Sequence, residues 1–202
     1  MNGKCISCLL VGLIIGAAII YFFTTNIAST PEEVMDAMEK DSMALTLTSS
    51  AFEHNATIPP LYTCDSDNIS PPLSISGVPE STVSFALIMD DPDIPQVFKE
   101  QRGTDSFDHW ALFNIDPSVT EIAEGEAPGV QGTNGRGENK YTGPCPPPEY
   151  EPTEHRYFFK LFALDTMLDT PEGATKAEVL TALEGHVLEQ AELVGLYDRS
   201  NN

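Results

Sequence analysis

Three stretches of the chain, VSFALIMD (83–90), HWALFNI (109–115) and RYFFKLFALD (156–165), present apolar side chains on both faces of an extended backbone. A strand of that composition has no face suited to water, so each belongs in the middle of a sheet covered on both sides. The segments around them carry Pro-Pro pairs, glycines and acids, which make turns and discourage helix. Residues 45–52 alternate loosely and add a first strand. Between the second and third apolar stretches, residues 124–154 form a loop dominated by Gly, Pro and acids, and a loop that long inside a compact domain is usually functional or mobile. TKAEVLTALEGHVLEQAELV (175–194) reads as one long helix: Thr175 and Glu178 stand in capping-box spacing, and Val179, Leu180, Leu183, Val187, Leu188 and Ala191 fall on one face. Strands first and a helix late predict a mainly β domain with peripheral helices, without the alternation that builds a parallel sheet.

Charge narrows the partners. Ten Lys and Arg against 31 Asp and Glu give a formal net charge of −21. Phosphate backbones need clustered cations, so no nucleic-acid partner is expected. A surface this acidic suits high ionic strength or simple solubility.

The N-terminus differs in kind. ISCLLVGLIIGAAIIYFF (6–23) contains no charged residue, and as a helix it would reach ~27 Å, close to the hydrocarbon thickness of a bilayer. Residues 1–25 therefore read as a transmembrane signal anchor, 26–44 as a linker or stalk, and 45–202 as the folded domain. A cleaved signal peptide is the competing reading, and both place the domain outside the cytoplasm. Cys5 and Cys8 sit at the edge of the anchor. Cys64 and Cys145 sit in the exported domain, where they are either an oxidised pair or two free thiols.

Candidate chemistry lies at the strand ends. MDDPDIP places Asp91 and Asp93 two residues apart, between prolines that favour extended backbone, so both carboxylates can project to one side. His109 opens the second apolar strand. In an extended EHRYFF, His155 and Tyr157 share a face that continues into the core, while Arg156 points the other way, toward a structural ion pair. No GxSxG elbow, helical His pair or other nucleophile arrangement is present, so a binding protein is expected rather than an enzyme, with no metal or cofactor.

Taken together, IPPLYTCDSDNISPPLSISGVP, FALIMDDPDIP, FDHWALFNI, GPCPPP, EHRYFFKLFALD and GATKAEVLTALEGHVLEQAELVGLYDR, in that order across roughly residues 50–199, resemble the bacterial and archaeal branch of the phosphatidylethanolamine-binding protein family. The resemblance implies an antiparallel β-sandwich with peripheral and C-terminal helices. It also implies a small pocket for phosphate or the phosphoryl head of a phospholipid, lined by Asp91, Asp93, Pro95, His109, Gly143, Pro144, His155 and Tyr157. His109, His155, Tyr157 and backbone N–H groups near Gly143 would donate to phosphoryl oxygens, with Asp91 and Asp93 orienting the histidines or receiving an ammonium or hydroxyl group. Inhibition of an exported serine protease through the proline-rich loop is the alternative the resemblance carries. One departure from the family pattern is the longer connection CPPPEYEPTEHR, whose Glu149, Glu151 and Glu154 would weaken anion binding by repulsion.

Overall fold

The computed structural model describes residues 44–199, which fall in one compact unit. The expected anchor, Cys5 and Cys8, and the linker up to residue 43 lie outside the described residues. Among the described residues no helix is long and apolar enough to cross a membrane.

Nine strands form two sheets among those residues. The smaller sheet has the order β1 (Thr46–Thr48), β3 (Leu73–Ser76), β6 (Glu121–Ile122). The larger runs β2 (Ala56–Thr57), β9 (Val187–Asp198), β8 (Glu154–Leu164), β4 (Ser84–Asp91), β5 (Phe107–Ile115), β7 (Val130–Gln131). The three doubly apolar stretches are β4, β5 and β8, adjacent at the centre of the large sheet. One face of that sheet sends Phe85, Leu87, Met89 and Phe159 against Leu47, Leu73 and Ile75 of the small sheet, which makes the sandwich core. The other face sends Ala86, Ile88, Ala111 and Phe113 against Val179 and Leu183 from the region of α2 (Lys176–Ala182). Both faces are covered, which is why alternation is missing from these strands. Each fully buried large side chain contributes about 1.5–3 kcal/mol by removal from water. All pairs among named strands are antiparallel except β2 with β9, which is parallel, so the sheet is mixed rather than purely antiparallel.

Two expected elements come out differently. The predicted helix over 175–194 is only seven residues long. Its start is as read, with Thr175 accepting from the Glu178 N–H and Glu178 accepting from the Thr175 N–H. It stops because Gly185 adopts φ +81°, which no helix continues, and because the following residues also alternate with period two. Ala191, Leu193 and Tyr197 belong to the sandwich core, and β8 offers a long edge that pairs with β9 from Glu154↔Asp198 to Leu164↔Val187. The chain of the domain thus ends in a strand, not in helix. The first strand is likewise shorter than 45–52, since only Thr46–Thr48 pairs with β3. A further helix, α1 (Gln96–Arg102), follows Pro95 and ends at Gly103 in the left-handed conformation.

Cys64 and Cys145 form a disulfide across a sequence separation of 81 residues. It ties the Pro60–Tyr62 turn of 3-10 helix to the long loop before β8.

Candidate functional site

Alternation along β8 sends His155 and Tyr157 inward on the sandwich side, with Phe159 and Leu161 continuing that row. His109 should face away from that row, because its neighbour Trp110 already points into the sandwich core. A bulge changes this. Met89 pairs with Trp110 and Asp90 with Asp108, so β5 spends two residues where β4 spends one, and His109 is the extra residue. Its ring meets Tyr157 edge-on at 5.1 Å between centroids, and Tyr157 stacks with His155 at 6.4 Å. Two strands, β5 and β8, therefore deliver three rings to one end of the sheet.

The strand-end carboxylates part company. The residues after Asp91 turn rather than extend, and Asp91 Oδ1 accepts the Asp93 N–H at 2.8 Å, an Asx turn that redirects the chain. Asp91 Oδ2 accepts a hydrogen bond from His155 Nδ1 at 2.7 Å, with both side chains buried. Asp93 instead takes the Arg156 guanidinium in a two-pronged pair, 2.8 Å to Nε and 2.7 Å to Nη2, on the outer face of β8. That pair holds the Asp93 carboxyl below its ordinary range, against some opposition from burial. The expected single-sided projection of Asp91 and Asp93 is thus not what the turn gives, whereas the ion pair expected of Arg156 is present.

In front of the rings lies a cleft of about 210 Å³. This is smaller than the roughly 300–1,000 Å³ typical of drug-sized ligands, so it suits a small one. Of the residues expected to line a pocket, Pro95, His109 and Gly143 border the cleft. His155 and Tyr157 are fully buried behind His109 rather than at a rim. Asp91 stands behind His155, Asp93 is in its ion pair, and Pro144 is buried with its carbonyl accepting the Cys64 N–H. Gly143 is required where it is: a β-carbon there would collide with the Tyr62 carbonyl oxygen, and its N–H already donates to Asn68 Oδ1 at 2.7 Å. The cleft's other walls come from α1, the start of β5 and the long loop, including Phe98, Phe107, Cys145 and Pro147. Glu149, Glu151 and Glu154 are exposed and do not border it.

Two bordering residues were not anticipated: Arg102, the last residue of α1, and Arg136, in the 132–140 turn. Neither shows periodicity or a motif in the sequence, and the Gly-Arg-Gly around Arg136 reads only as loop.

Electrostatics sharpen the roles. His109 Nδ1 lies 2.6 Å from the Thr142 carbonyl oxygen, which can only accept, so the proton sits on Nδ1. Burial lowers the His109 pKa, opposed chiefly by the charge of Asp91. The ring is neutral near pH 7 and its Nε2 carries a lone pair. Burial, reinforced by the charge of Asp91, raises the Tyr157 hydroxyl well above its ordinary value, so it stays protonated; the Cys145 N–H works the other way without completing a hydrogen bond of good geometry. Among the described residues, the Tyr157 hydroxyl and His155 Nε2 are both buried without a hydrogen-bond partner. A third such atom, Asp108 Oδ1, differs because it lies 2.5 Å from the Lys176 ammonium. Among the described residues no cluster of His, Cys, Asp and Glu is placed to hold a metal ion.

Comparison with known proteins agrees with this architecture. A family model described as phosphatidylethanolamine-binding protein matches residues 48–198. A UPF0098 protein of Methanothermobacter thermautotrophicus is 48% identical over 162 residues, covering 77% of this chain and 99% of its own length. A UPF0098 protein of Chlamydia pneumoniae is 46% identical, with 76% and 99% covered. Among solved structures, a phosphatidylethanolamine-binding protein homologue from Chlamydia trachomatis is 43% identical with TM-score 0.72, covering 78% of this chain and 99% of that one. Escherichia coli YbcL, described as a member of the mammalian family, is 28% identical with TM-score 0.67, covering 76% and 98%.

Proposed function

The chain belongs to the phosphatidylethanolamine-binding protein family, and on that premise we propose that it binds a small phosphorylated ligand or phospholipid head group in the cleft before His109, without turnover. The observation that carries this reading is the pair of buried, unpartnered polar atoms, His155 Nε2 and the Tyr157 hydroxyl, behind an open cleft of ligand size. An unsatisfied buried polar group costs about 1–3 kcal/mol. A fold that keeps two side by side gains from a ligand that satisfies them. The uncharged run 6–23 supports tethering of the domain to a membrane. The Cys64–Cys145 disulfide supports a location outside the cytoplasm, because such bonds persist in oxidising compartments.

Calorimetric titration of the full-length protein in neutral detergent with inorganic phosphate and phosphorylethanolamine tests the reading. Saturable binding is expected, weakened about tenfold or more in Tyr157→Phe through loss of one hydrogen bond to a charged group. Absence of saturable binding to both, with the protein folded, contradicts it.

A further inference from the structure

A phosphoryl group needs donors and positive charge, and the floor of the cleft is short of both. The His109 Nδ1–H is spent on Thr142 and its Nε2 is a lone pair, so that ring accepts rather than donates. The Gly143 N–H is spent on Asn68, and the His155 Nδ1–H on Asp91. The cations of the cleft stand elsewhere. Arg102 and Arg136 both border it, and among the described residues neither is in an ion pair, whereas Arg156 and Arg199 each have a carboxylate. Two guanidinium groups without a carboxylate partner are notable in a chain of net charge −21.

Both are also held in position. Arg102 Nη1 donates to the Gly135 carbonyl at 3.3 Å, and its guanidinium lies over the Phe107 ring at 5.3 Å. The turn that carries Arg136 is organised by buried Asn134, whose Oδ1 accepts the Arg136 and Glu138 N–H groups at 2.8 and 3.1 Å and whose Nδ2 donates to the Lys140 carbonyl. The charge of Arg136 is felt at His109, where it disfavours the protonated ring. Gly135 links the two arginines, since its carbonyl accepts from one and it precedes the other.

Building on the proposed function, we infer that Arg102 and Arg136 are the anion-recognising pair of this site: they receive the ligand's oxyanion at the cleft mouth, and His109 Nε2 accepts a hydrogen bond from a donor on the same ligand. Planar guanidinium forks match tetrahedral oxyanions in a two-pronged way that a single imidazole does not. The shared chemistry is a small oxyanion bearing a hydroxyl or ammonium donor, whether free phosphate or a lipid head group.

The test is calorimetric titration of full-length parent, Arg102→Gln, Arg136→Gln and Tyr157→Phe with inorganic phosphate and with glycerophosphoethanolamine, the second standing for a lipid source. Both arginines are exposed, so the glutamine variants keep the fold. Each is expected to lose about tenfold in affinity for whichever probe binds, and to flatten the dependence of affinity on salt. Binding of both glutamine variants within twofold of the parent, with Tyr157→Phe impaired, overturns the inference and moves the anion to the buried rings. Failure of the parent to bind either probe removes the proposed function and the inference with it.

Discussion

Tyr157 is a residue whose hydroxyl has no hydrogen-bond partner among the described residues, so its removal separates stability from function. Tyr157→Phe should leave the thermal midpoint unchanged or raise it, since an unpartnered buried hydroxyl costs about 1–3 kcal/mol; a fall of several degrees would mean that the hydroxyl is structurally engaged. Gly143→Ala should destabilise by about 1–3 kcal/mol, because the added methyl meets the Tyr62 carbonyl and Asn68 with no free space to take it. His109 makes stability pH-dependent. Its folded pKa lies below the unfolded value of ~6.5, so below that pH the unfolded chain binds a proton that the folded chain refuses. This component therefore weakens the fold as pH drops through ~6.5 toward the folded pKa, and denaturant unfolding of parent against His109→Gln should show the slope shrink in the variant. At this scale much of the site was legible. His155 and Tyr157 follow from strand alternation, and Arg156 turning outward follows with them. The inward reach of His109 was not legible, because it depends on which residue of β5 is bulged against β4, a fact of pairing rather than of local sequence.

At the scale of elements, β9 shows how a tertiary partner overrides a local pattern. Residues 187–191 fit a helical face and also a strand, and the decision falls to Gly185 and to the edge of β8 that pairing with β9 covers. Neither the pairing nor its benefit is visible in a window of twenty residues. The start of α2 was legible because its capping box is local: Thr175 and Glu178 exchange hydrogen bonds three residues apart. Thr175→Ala should cost about 1 kcal/mol in denaturant unfolding, and no change would mean the cap is redundant. Asp90, next to Asp91 but on the opposite face of β4, takes Lys160 and Lys176, and Lys176 also reaches Asp108. Adjacent acids of one strand thus serve different ends, Asp90 anchoring α2 and Asp91 orienting His155. Arg102 and Arg136 are not legible as site residues in the sequence because a short helix end and a glycine-flanked turn carry no period, and only folding brings them to one cleft.

Across the whole molecule, the long loop, the disulfide and α1 enclose the cleft that the central strands supply with rings. The disulfide closes a loop of 81 residues, so its reduction should lower stability by about 4 kcal/mol, read as a shift in urea midpoint; an unchanged midpoint would show that the rest of the fold already fixes that loop. The three doubly apolar strands made the mainly β class legible, and the succession of motifs from Ile58 to Arg199 made the family legible. What remained hidden was which charges face the cleft, because the net −21 of the chain conceals two arginines that, among the described residues, are in no ion pair. The most direct test of the central claim is phosphorus NMR of phosphorylethanolamine titrated with full-length protein. A saturable shift of the phosphorus resonance, with its midpoint moved to about tenfold higher protein concentration in Arg136→Gln, is the predicted result. An unshifted resonance at excess folded protein would contradict the account.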